Sequence, residues 1–254
     1  MPTAVAEVLE EAERILQTER FEDYCLNGLQ IPGAAEVSTL ASGVSAHLEL
    51  FERAVEAGAQ LLIVHHGIFW GAGVARIDTT LKRRLQTLFD ADIALAAYHL
   101  PLDAHPELGN NALLARALGG DALEPFALHR GETIGFLTTL PGDGTEPAAL
   151  CQQVRALTAR EPLCFDFGPA RVSRLAVVSG AGADYIEEAL DAGADALLTG
   201  EVPERAMAKA REAGLHLIAA GHYATETFGI RRLGERLAEQ FGLRHVFLDV
   251  PNPL

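Results

Sequence analysis

The chain has 254 residues, nearly half of them hydrophobic, and a formal net charge of −15. That is long enough for one large domain or two halves of ordinary size, each with its own core. The acidic balance excludes the clustered basic surface of a nucleic-acid or membrane-surface binder, no apolar run reaches the ~20 residues of a membrane span, and residues 1–11 show no basic segment followed by an apolar one, so the chain reads as soluble and cytoplasmic.

In chain order, Val5, Val8, Leu9, Ala12, Ile15 and Leu16 recur at helical spacing after Thr3, which predicts a helix capped by Thr3. Asn27-Gly28 marks a turn. Short Val/Leu/Ile/Ala runs then predict strands near 38–44, 60–65, 93–98, 133–139, 172–178, 195–199, 216–221 and 245–250, alternating with amphipathic helical stretches. Such alternation predicts an α/β fold with mostly parallel sheets and helices on their faces. Cys25, Cys151 and Cys164 lack Cys-x-x-Cys spacing and read as buried free thiols.

Residues 40–67 and 175–202 share one pattern: strand, Ser-Gly turn, helix, Ala-Gly-Ala, strand. The next strand in each half ends in a histidine with a carboxylate four residues on, His99 and Asp103 in one case, His222 and Glu226 in the other. The pattern predicts two similar α/β lobes, an internal duplication. The lobes are 1–128 and 129–254, with the site between them and the chain able to intertwine.

The chemistry is concentrated at the ends of these strands. His65 and His66 follow Leu61-Leu62-Ile63-Val64. Adjacent side chains within a strand point to opposite faces, but at its C-terminal end both rings can turn towards one crevice, where open α/β sheets place ligands. Two adjacent imidazoles after a buried run are costly without partners. Taken singly, His99 or His222 reads as a satisfied polar residue, Asp103 as a turn residue or cap, and Glu226 as a first-turn helix acid. Three imidazoles and two carboxylates drawn from this set already exceed what one four-coordinate ion with an open position uses. They suit two ions ~3.5–4 Å apart bridged by a carboxylate. His47 reads as a helix-start residue, and His105, His129, His216 and His245 as structural or exposed. There is no P-loop and no Gly-x-Ser-x-Gly elbow. Gly180-Ala181-Gly182 lacks the third glycine of a dinucleotide fingerprint and reads as a tight turn.

Asn27-Gly28-Leu29-Gln30, His65-His66-Gly67 with Phe69-Trp70, His99-Leu100-Pro101-Leu102-Asp103, Gly109-Asn110-Asn111, Thr199-Gly200-Glu201 and Gly221-His222-Tyr223-Ala224-Thr225-Glu226 occur in that order, and Asp249 with Asn252-Pro253 closes the chain. This ordered set resembles the Nif-three-like family of GTP cyclohydrolase 1 type 2 homologues, in its short form without an inserted domain. The resemblance implies a dinuclear site with His65, His66, Asp103, His222 and Glu226 as metal ligands. Glu226 would bridge two divalent ions per chain (Zn, Fe, Mn or Ni). It puts His99 behind the ligands, orienting one of them or a bound water, and lets Glu201 line the pocket. It also implies a ring-shaped homohexamer, a trimer of dimers.

On this basis the chain reads as a metal-dependent hydrolase acting on a nucleotide or another phosphate-bearing small molecule, with no catalytic side chain assigned. The rival readings are a metal-handling protein and a regulatory or interaction protein without turnover. Fold and family do not fix the substrate.

Overall fold

In the computed structural model, which describes residues 2–71 and 76–254, helices and parallel strands alternate along most of the chain. The first part runs through β1 (Thr3–Ala4), α1 (Val5–Leu16), β2 (Gly28–Ile31), β3 (Glu36–Val37), β4 (Thr39–Ser45), α2 (Leu48–Glu56), β5 (Leu61–His66), α3 (Thr79–Asp90), β6 (Ala94–Ala97) and α4 (Leu100–Asp103). The middle holds α5 (Asn110–Ala117), β7 (Leu123–His129), β8 (Glu132–Thr139), α6 (Pro147–Thr158), β9 (Leu163–Phe165), β10 (Arg174–Val178), α7 (Ile186–Asp191), β11 (Ala196–Thr199), α8 (Glu204–Ala213), β12 (His216–Ala219) and α9 (His222–Thr225). It closes with α10 (Thr227–Phe241) and β13 (Arg244–Phe247). All eight strands anticipated from the apolar runs are present.

The chain divides into two compact units, the first made of Met1–Leu102 and Gly229–Val250, the second of Asp103–Phe228 and Pro251–Leu254. This division differs from lobes bounded at 128/129, because the chain leaves the first unit after β6 and rejoins it through α10.

The first unit carries a five-stranded sheet of order β13-β4-β5-β6-β2. β13, β4, β5 and β6 are parallel, and β2 runs antiparallel to β6. Leu61, Leu62, Ile63, Val64 and His65 are all fully buried, so β5 is covered on both faces, as the unbroken apolar run requires. Leu62, Val64 and Leu95 pack with Phe51 and Leu50 of α2 and Leu88 of α3. Burying each such side chain contributes about 1.5–3 kcal/mol. α2 begins at His47, whose Nδ1 accepts the Leu50 N–H. Thr3 does not cap α1: it pairs with Val37 in a two-stranded sheet, and Ala4 takes the cap position without a side-chain bond. The entry of the chain into α1 is thus fixed by strand pairing, which leaves the Thr3 hydroxyl no capping role.

The second unit carries a six-stranded sheet of order β7-β8-β10-β11-β12-β9. β10, β11 and β12 are parallel, and β9 runs antiparallel to β12. Leu175, Val177, Leu198 and Ile218 pack with Leu114, Leu150 and Val154 in its core. Each unit therefore contains three consecutive parallel strands with an antiparallel strand beside the third. Among the described residues no helix is long and apolar enough to cross a membrane.

The cysteines depart from expectation. Cys25 is a buried free thiol, but Cys151 and Cys164 form a disulfide, and Cys164 is exposed. α6 and the edge strand β9 bring the two side chains together across a sequence separation of 13, with Cα atoms 6.5 Å apart. No Cys-x-x-Cys spacing announces such a bridge.

Candidate metal centre

In the first unit, His65, His66 and His99 each offer a ligand nitrogen, and these atoms all lie within 4.8 Å of one another. The His65 and His66 rings are centred 4.7 Å apart although the residues are neighbours at the end of β5. The last turn of the strand therefore brings both rings to one side. The buried His65 donates its Nδ1–H to the Tyr98 carbonyl at 2.9 Å. A neutral imidazole that donates from Nδ1 carries its lone pair on Nε2, the form a metal requires. His66 Nδ1 lies 3.1 Å from Ser45 Oγ.

His99 is fixed in the same way. Its Nδ1 lies 2.9 Å from Asp23 Oδ1, and its backbone N–H donates to Asn27 Oδ1 at 2.8 Å. Asp23 also accepts the Cys25 N–H, the Leu100 N–H and the Asn27 amide. Burial opposes ionisation of Asp23, but His99 and these donors outweigh it and hold the carboxyl near a pKa of about 2. A neutral His99 held in this way would donate Nδ1–H to Asp23 and present Nε2 as its lone-pair nitrogen. Sequence reasoning overlooked Asp23, whose only signal is its closeness to Asn27-Gly28. His99, expected behind the ligands, lies in the histidine cluster itself. Tyr24 and Trp70 flank it, with ring centres at 5.1 and 5.2 Å. Gln30 secures the loop after β5 by accepting the Ile68 and Phe69 N–H groups.

In the second unit, His222 and Glu226 meet on one turn, His222 Nε2 lying 3.1 Å from Glu226 Oε1, and Glu201 Oε2 lies 3.4 Å from His222 Nδ1. Glu226 is buried and Glu201 exposed. Burial disfavours the His222 cation, but the Glu226 and Glu201 carboxylates prevail and raise its pKa from 6.5 to about 9. Gly180, at φ +61°, allows this packing: a Cβ there would come within 2.4 Å of Glu226 Oε1. Its carbonyl accepts the Gly200 and Glu201 N–H groups, and residues 179–181 turn the chain from β10 into a 3-10 helix that starts at Gly182. The preceding residue, Ser179, donates its hydroxyl to the buried Asp103 at 3.1 Å, and Asn110 donates to the same oxygen at 2.8 Å. Asn111 accepts the Ser179 N–H and donates to the Ile134 carbonyl. The Gly109-Asn110-Asn111 motif therefore serves to hold Asp103.

Nitrogen-rich and carboxylate-bearing groups of this kind could hold a metal ion of the imidazole-accepting series. A family model described as Duf34/NIF3 (NGG1p interacting factor 3) matches residues 3–253. A Pseudomonas aeruginosa protein named GTP cyclohydrolase 1 type 2 homolog is 44% identical over 253 residues, covering 100% of both chains. An Escherichia coli K12 protein of the same name is 45% identical, with 94% of each chain covered. Among solved structures, one titled protein ybgI, of unknown function, superimposes with a TM-score of 0.93 at 40% identity, covering 99% of this chain and 100% of that one. A Thermus thermophilus structure gives 0.92 at 37% identity over the same shares.

Proposed function

The chain belongs to the Duf34/NIF3 family, and from that premise we propose that it is a divalent-metal protein with hydrolytic activity on a nucleotide or related phosphate-bearing small molecule. The observation that carries the metal reading is the convergence of His65, His66 and His99, two of them held in the tautomer that presents Nε2. His65, His66, Asp103, His222 and Glu226 would hold two divalent ions per chain, with the Glu226 carboxylate shared between them. His99 orients or joins the ligands, and Glu201 lines the pocket. The similar parallel-strand motifs of the two units support an internal duplication.

A bound divalent ion would supply Lewis acidity for hydrolysis. The protein's own contribution is placement. Asp23 and the Tyr98 carbonyl fix two imidazole tautomers, Ser179 and Asn110 hold Asp103, and Glu226 and Glu201 stabilise a proton on His222 that a cation must displace. The names of the relatives support a GTP cyclohydrolase-like substrate class. A net charge of −15 opposes a nucleic-acid partner. A cytoplasmic homohexamer completes the reading.

Elemental analysis of the reconstituted protein tests the metal content: two ions per chain are expected, and less than one under metal excess would overturn the reading. Turnover of a nucleotide and phosphoester panel, with Glu226→Ala as control, tests the hydrolase. Metal handling without turnover is the second reading, favoured by the half-exposed His222 beside the exposed Glu201, which leaves an N/O pair open to exchange. Fully metallated protein that turns over nothing but donates its metal to an acceptor would establish it.

A further inference from the structure

The Cys151–Cys164 bridge plays no part in the metal chemistry, and its setting is unlike that of a buried structural staple. Cys151 is half-buried on α6, and Cys164 is exposed at the centre of the three-residue edge strand β9. Both line an open cleft of about 500 Å³ shared with Arg155, Phe165, Asp166 and His216. A solution thiol can therefore reach the bridge, and access is one of the determinants of thiol–disulfide exchange. The other cysteine, Cys25, is buried and serves as an internal control.

The bridge also encloses a residue with a specific position. Between the two cysteines the chain turns at Ala159, φ +51°, and presents Arg160 to Gly221. A Cβ on Gly221 would lie 2.8 Å from Arg160 Cδ and 3.1 Å from its Nε. The Arg160 guanidinium donates to the Pro253 carbonyl, and the Tyr223 N–H donates to the Leu254 carbonyl. Gly221, at φ +96°, directly precedes His222. β9 itself is held on its other side by pairing with β12, Leu163 to Ala219 and Cys164 to Ile218.

We propose that Cys151–Cys164 is a redox-responsive clasp, opened by a dithiol reductant, that controls how firmly segment 159–165 and its Arg160 are held against the Gly221 turn. In the reducing step a thiolate of the reductant attacks Sγ of the exposed residue Cys164. The S–S bond breaks, and Cys151 Sγ leaves with the electron pair and takes up a proton. The second thiol of the reductant then attacks its own sulfur in the mixed disulfide and releases Cys164 as a thiol. Two electrons and two protons pass to the protein, and the reductant becomes a disulfide. With the bridge to α6 cut, β9 is a three-residue edge strand whose backbone pairs on one side with β12, and short edge segments of this kind open readily. A dithiol oxidised to its disulfide in the reverse direction closes the clasp.

The test uses the full chain, metal-free, and reads no enzymatic activity, so its outcome is separate from that of the hydrolase proposal. Oxidised protein is treated in native buffer with dithiothreitol or with reduced thioredoxin, and thiols are then counted by maleimide labelling and mass spectrometry. Cys151 and Cys164 are expected to become labelled while Cys25 stays protected until denaturation. Amide exchange in residues 160–165 is expected to accelerate about tenfold or more, with Cys151→Ser and Cys164→Ser reproducing the reduced pattern. Reduction by thioredoxin alone identifies a protein dithiol as the source, and reduction by either reagent admits small dithiols. A bridge that yields only in denaturant, thiols that stay free after exposure to oxidised glutathione, or unchanged exchange at 160–165 after complete reduction would each overturn the proposal.

Discussion

Asp23 decides which nitrogen of His99 faces the other histidines, and it does so with a side chain only 2% exposed. Replacing it by Asn keeps the size but removes the charge that orients the imidazole. Asp23→Asn is expected to weaken divalent-metal binding about 10–100-fold with little change in secondary structure. Calorimetric titration of metal-free protein measures this, and unchanged affinity would mean that His99 is positioned by other groups. His222 gives a second expectation at this scale. Its pKa in the metal-free chain is raised to about 9, so at pH 7 a metal ion must displace a proton. Apparent affinity should rise with pH, by up to about tenfold per unit, until the curve flattens near pH 9. His222→Gln should remove that slope. The sign for stability is opposite. A raised pKa stabilises the metal-free fold fully below 6.5, and the stabilisation is lost as pH rises from 6.5 through about 9. Thermal melts of apo protein across that window should show the loss, and His222→Gln should show none.

At the scale of elements, the turn between β10 and the short helical segment after it is built around Gly180. Gly180→Ala places a methyl group against Glu226 Oε1 and forces a left-handed backbone on a residue with a Cβ. A loss of roughly 1–2 kcal/mol in stability is expected from the backbone alone, together with metal loss from displaced Glu226. Denaturation and elemental analysis on the same sample separate the two effects. Most strands that could be read from the sequence are continuous apolar runs, such as Leu61–Val64, Ile93–Ala97 and Leu175–Val178, buried on both faces, and β13, an edge strand that is only partly buried, is the exception. Those that could not be read are edge strands. β7 contains Pro125 and an exposed Glu124, and β9 is three residues between Pro162 and Asp166, so neither carries a hydrophobic period. The site divides the same way. His65-His66 and the His-x-x-x-acid pairs announce themselves by position after strands. Asp23 reaches His99 across 76 residues and Cys151 reaches Cys164 only through the β9–β12 ladder, so in both cases the partner is chosen by the fold rather than by local spacing.

At the scale of the molecule, family membership and a strongly acidic surface act on assembly. A chain with net charge −15 repels its own copies unless apolar interfaces offset the repulsion. Light scattering at micromolar concentration is expected to give about six times the 27.1 kDa chain mass. A monomer under those conditions would overturn the hexamer.

The division of the first unit into two stretches of chain bears on biosynthesis. β4 carries an almost wholly buried run, and its outer edge is closed by β13, which is translated only after residues 103–228. A ribosome working at ~5–20 residues per second needs on the order of ten seconds to pass through Asp103–Phe228 before that partner exists. During that interval the nascent chain exposes an unpaired apolar strand edge, the kind of surface that invites pairing with a neighbouring chain. The second unit, by contrast, has every strand of its sheet synthesised by Ala219. Nascent chains should therefore pass through a stage in which the later-made unit is folded while the earlier-made one still waits, and the period of greatest dependence on chaperones should end only when β13 clears the exit tunnel.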